Sequence, residues 1–96
     1  MIEIKNDAVL LYVALLKERF GNNLPRLISE LLYDSMNMKY FTLPSEWNDD
    51  EYIKWAKMDL EWNASEGGEE GELGADFAED LFKSNLNLCG IEDYFI

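Results

Sequence analysis

Apolar residues recur along this chain at helical spacing, interrupted at a few points by glycine, proline and runs of acid. Ala8 to Leu16 is an unbroken apolar run of nine. Asn6 or Asp7 can cap a helix there, the run continues to Phe20, and Gly21 supplies the left-handed residue on which helices commonly end. Its middle is apolar on every side, so it is expected at the centre of the fold. Asn22 and Asn23 make a turn, and Pro25 suits the first position of a second helix, where its missing N–H costs nothing. Leu27, Ile28, Leu31, Leu32 and Met36 mark one face of that helix.

Tyr40, Phe41 and Thr42 are strand formers, and Pro44 turns the preceding residue away from helix, so 38–43 is a candidate strand. A third helix is expected from Ser45 or Asn48 to about Asn63. Glu51 is placed as the capping-box partner of Asn48, and Asp49 and Asp50 suit the helix dipole. Ala64 to Gly74 holds four glycines and four glutamates, which reads as a flexible acidic loop. A fourth helix turns Phe77, Ala78, Leu81, Phe82 and Leu86 inward and ends at Gly90. The last six residues include four apolar ones, enough to dock onto the body. The expected fold is mainly α, one small domain over 1–96 with about four helices. One short strand or hairpin element near 38–43 and the C-terminus can accompany the helices.

Composition supports an autonomous fold, since 48% of the 96 residues are hydrophobic and 14% aromatic, far above a disordered acidic tail. Cys89 is the single cysteine, so it forms no internal disulfide, and beside Leu86 and Leu88 it reads as a small buried apolar residue. The apolar run near the N-terminus lacks a signal peptide's flanks: Glu3 and Asp7 offset Lys5, and Lys17-Glu18-Arg19 follows it with no cleavage site. Nine residues are also too few to span a bilayer. A cytoplasmic location is expected.

Charge changes the picture most. The net charge is −12, with 20 acids, 8 bases and no histidine. Residues 1–45 are balanced, five acids against five bases, while 46–96 hold fifteen acids against Lys54, Lys57 and Lys83. Between residues 58 and 82 there are nine acids and no base. A general solubility surface would spread over both halves, so this asymmetry suggests a negative face. Its candidate residues are Asp49, Asp50, Asp59, Glu61, Glu66, Glu69, Glu70, Glu72, Asp76, Glu79 and Asp80. In the fourth helix Asp76, Glu79 and Asp80 fall at i, i+3 and i+4, about 5–6 Å apart and opposite the apolar face, a spacing comparable to neighbouring phosphates. In the third, Asp50 with Lys54 and Lys57 with Glu61 can neutralise each other. The plain alternative is a solvated acidic face with no partner.

Other constellations carry less. Trp47, Trp55 and Trp62 would lie within about 80° of one another if the third helix starts by Glu46. Packing explains such a stripe simply, but Trp47, at the helix entrance, is a candidate binding anchor. Asp59, Glu61, Asn63, Ser65 and Glu70 match positions 1, 3, 5, 7 and 12 of a calcium loop, yet Ala64 stands where that loop needs glycine and Glu66 where it needs an apolar residue. Without histidine, the hydroxyls and the lone thiol lack the usual base for nucleophile activation, and zinc loses its commonest ligand. No enzyme activity, metal or cofactor is expected.

In size, charge and charge segregation, mainly over Asp49 to Asp80, the chain resembles the DNA-mimicking anti-CRISPR and antirestriction proteins of phages. That resemblance implies an inhibitor of a nuclease or CRISPR/restriction effector, acting in the host cytoplasm by presenting carboxylates where phosphates bind. The implied partner is a basic protein, with no direct binding to nucleic acid or membrane, and the inhibitor a monomer or homodimer. Small acidic helical chains also resemble immunity proteins or antitoxins that neutralise one nuclease toxin. A calcium-responsive or structural helical module is the third reading.

Overall fold

Residues 2–28 and 48–87 are described by the computed structural model, and they are mainly helical. The expected strand at 38–43, the outer half of the second helix, Trp47, Cys89, Gly90 and the C-terminal segment lie outside the described residues.

The long apolar run becomes helix α1, Asn6–Phe20. Asn6 is its first residue and Lys5 stands at the N-cap without a side-chain bond, while Asp7 turns its carboxylate onto the neighbouring Ala8 N–H at 3.0 Å. At the other end Gly21 adopts φ 51°, a conformation costly for any residue with a Cβ, and donates its N–H to the Lys17 carbonyl. A 3₁₀ turn over Gly21–Asn23 leads into helical residues 24–28. Leu24, Leu27 and Ile28 are buried there. Pro25 therefore falls in a first helical turn, as its missing N–H allows.

Helix α2 spans Asp49–Glu66. The Asn48 side chain caps it by accepting the Glu51 N–H at 3.0 Å. The helix runs three residues past the expected Asn63, and the glycines that follow are its stop signal. Gly68 at φ 73° donates to Ser65 O at 3.2 Å, and Glu69 N–H reaches back to Ala64 O at 2.9 Å. These are the paired 5→2 and 6→1 bonds of a Schellman motif, which satisfies the last carbonyls of the helix and needs a left-handed residue at Gly68. The Gly-Glu stretch expected as a loop from 64 to 74 therefore begins as helix and continues, at Gly71–Leu73, as strand β2.

That strand pairs in parallel with Ile2–Ile4, strand β1, in the register Ile2 to Gly71, Glu3 to Glu72 and Ile4 to Leu73. Lys5 N–H extends the ladder to Leu73 O at 3.0 Å. Parallel strands need a long connection, and here it contains α1 and α2. Helix α3, Ala75–Leu86, closes the described chain. It ends on Asn87, short of the expected Gly90.

Helix α1 packs against both α2 and α3. Tyr12, Leu16 and Phe20 point inward one turn apart and are fully buried with Ala8 and Val9. They meet Trp55, Ala56 and Leu60 from α2 and Ala78 from α3, while Phe77, Leu81, Phe82 and Leu86 pack partly buried against this core on the face expected of them. Helix α1 is not buried on every side: Leu10 is 55% exposed and Ala14 is exposed too, because α2 and α3 leave its far side open. No helix among the described residues is long and apolar enough to cross a membrane.

Candidate functional site

The carboxylates separate into three groups by what they touch. Asp49 forms an ion pair with Lys17 of α1, and the same ammonium lies 5.1 Å from the centre of the Tyr52 ring. Glu72 pairs with Lys5 at 3.6 Å, beside the strand ladder, and Glu79 with Lys83 at 3.2 Å along α3. The i, i+4 pairs expected in α2, Asp50 with Lys54 and Lys57 with Glu61, do not form ion pairs. Such exposed pairs gain little and are easily left to solvent.

A second group is exposed without a basic partner among the described residues: Asp50, Glu61, Glu66, Glu69, Glu70, Asp76 and Asp80. Glu66, Glu69 and Glu70 flank the Schellman turn, and Asp76 sits in the first turn of α3, where the helix dipole favours a negative charge. Asp76, Glu79 and Asp80 are all exposed on α3, on the side away from Ala78.

Asp59 belongs to neither group, and its assignment to the binding face is corrected by its burial, with 2% exposure. Its Oδ2 accepts the Tyr12 hydroxyl at 2.8 Å, and its Oδ1 accepts Asn63 Nδ2 at 3.3 Å. Asn63 Nδ2 also donates to the Asp59 carbonyl at 2.8 Å. Asn85 of α3 completes the chain by donating to the Tyr12 oxygen at 2.7 Å. A buried polar relay thus ties together α1, α2 and α3, with the Trp55 ring stacked on Tyr12 at 5.8 Å. Burial raises the Asp59 carboxyl from 3.8 to about 6, against the opposing pull of the Tyr12 and Asn63 hydrogen bonds. Burial first, and the Asp59 charge second, push the Tyr12 phenol well above its ordinary value, so Tyr12 stays protonated and donates.

This relay was missed in the sequence because Asp59 sits within an acidic run. A signal was present: Trp55, Asp59 and Asn63 are spaced by four, which sets Asp59 on the inward arc with Ala56 and Leu60.

The calcium-loop reading does not survive the structure. Asp59, Glu61, Asn63 and Ser65 all lie within α2, where steps of two residues turn side chains by about 200° and cannot converge on one ion. No group of three or more metal-ligating side chains is placed to hold a metal among the described residues. The tryptophan stripe also changes. Because α2 begins at Asp49, Trp47 precedes it, and of the two on the helix Trp55 is buried while Trp62 is 40% exposed.

No family model, curated protein or solved structure matches the chain.

Proposed function

We propose that this protein is an inhibitor whose acidic face occupies the cationic nucleic-acid channel of a nuclease or of a CRISPR or restriction effector. It acts by occupancy, presenting carboxylates where phosphates would lie, and performs no chemistry on its target. The observation that carries the reading is the set of outward carboxylates from Glu61 to Asp80. Every acid in that interval is exposed, and only Glu72 and Glu79 pair with a lysine among the described residues. A field of this sign repels nucleic acid and anionic membranes and accelerates encounter with a basic protein surface.

The test reverses Asp76, Glu79 and Asp80 to lysine and compares both proteins as baits for a host lysate at low and at high salt. The expected outcome is a basic nucleic-acid-binding protein retained by the parent, released as salt screens the charges, displaced by added DNA, and lost by the variant. Because all three side chains are exposed, the variant should keep its helical circular dichroism. Equal retention by parent and folded variant would remove these carboxylates from the interface, and retention insensitive to DNA would remove mimicry.

A further inference from the structure

Helix α2 carries an outward ridge that electrostatics alone does not explain. Met58 and Trp62 are each 40% exposed, one turn apart, on a surface otherwise dominated by charge. At 100° per residue Glu51, Met58, Trp62 and Glu66 fall within about 80° of one another, along the border of the inward arc on which Trp55 is buried. They form a strip roughly 22 Å long with carboxylates at both ends and a methionine–tryptophan pair in the middle. Glu61 and Lys54 are exposed beside that pair, and Trp55, buried and stacked on Tyr12, anchors the inner border of the strip to the core.

We infer that this ridge is a docking surface for a basic protein partner whose apolar pocket, flanked by lysine or arginine, receives Trp62 and Met58. The inference rests on the proposed inhibitor reading and specifies the character of the surface that it meets. Charge complementarity selects the occupant. The strip and its flank carry Glu51, Glu61 and Glu66 against one base, Lys54, so a second copy of this chain would set net negative charge against its own equivalent, and a nucleic acid or an anionic lipid would be repelled likewise. A cationic surface gains from the rim and desolvates the centre. Tryptophan is the residue type most enriched at such centres, and methionine adapts to irregular pockets.

The test uses two synthetic helical peptides of equal positive charge, one with a leucine face and one with glutamine in place of leucine. Each is titrated against the whole protein and read by tryptophan fluorescence and calorimetry. The amphipathic peptide should bind about tenfold or more tightly than the polar one and keep that advantage at high salt. The variant Met58→Ser/Trp62→Ser should lose the advantage while binding the polar peptide unchanged, and Trp62→Gln serves as the milder substitution. Equal affinity for the two peptides, an advantage that survives in the folded variants, or an equal response to neutral phosphatidylcholine vesicles would overturn the ridge proposal. Salt-sensitive binding of both peptides would in each case leave the acidic-face reading standing. Binding of neither peptide would overturn both.

Discussion

The Asp59 relay makes stability fall as pH rises toward neutrality. Below pH 3.8 the carboxyl is protonated in folded and unfolded chains alike and contributes no pH dependence. Between 3.8 and about 6 the unfolded chain ionises while the folded one holds its proton, so the folded state is progressively disfavoured; above about 6 both are ionised and the penalty is complete. A rise of this size corresponds to about 3 kcal/mol, of which roughly 2 kcal/mol develops between pH 4 and pH 7. The parent's profile sums over every ionisable group, so it alone cannot isolate the buried one. Asp59→Asn can: its amide oxygen still accepts the Tyr12 hydroxyl, and nothing remains to ionise. Urea denaturation followed by tryptophan fluorescence at pH 4, 5, 6, 7 and 8 should show the variant's curve flatter by roughly 2 kcal/mol across the window. Parallel pH profiles for parent and variant would refute the assignment of a buried, proton-retaining carboxyl at this position.

Further outcomes follow from other contacts. Tyr12→Phe removes one hydroxyl and leaves the Asp59 carboxylate and the Asn85 amide short of a partner; it should cost about 1–3 kcal/mol by denaturation and move the Asp59 titration higher still, measurable by NMR. Phe20→Ala empties a fully buried site and should cost about 3–5 kcal/mol in the same assay. Gly68→Ala meets no atom within 4 Å but holds a φ of +73°, so it should lose about 1–2 kcal/mol through backbone strain alone. Adding salt should raise the urea midpoint of the parent by screening the net charge of −12, and a midpoint that falls instead would show ion pairs outweighing repulsion.

The elements legible in the sequence are those whose signals are local. The bounds of α1 follow from an apolar run closed by Gly21, the entry of α2 from Asn48 and Glu51, and the inward face of α3 from the 3.6-residue period of Phe77, Leu81 and Phe82. The strand pair was not legible, because three residues are too few for an alternating pattern to stand out and the pairing joins Ile2 to Gly71 across α1, α2 and the chain between them. The two glycines after Glu66 were misread because composition cannot distinguish a linker from a helix stop; hydrogen bonds to Ala64 and Ser65 make the difference. In the candidate site the excess of acid was visible, but whether a given carboxylate faces water or a tyrosine depends on helical phase against a neighbour, and that separates Asp59 from Glu61.

The bond from Asn85 to Tyr12 spans 73 residues, and it sets an order of events during synthesis. Helix α1 leaves the ribosome early, yet its central phenol cannot be sealed from water with both polar partners until Asn85 has been made, some 4–15 seconds later at ordinary translation speeds. The nascent chain therefore holds this apolar segment open to chaperones and proteases until α3 has been made, and α1, α2 and α3 should close around Tyr12 in one late step.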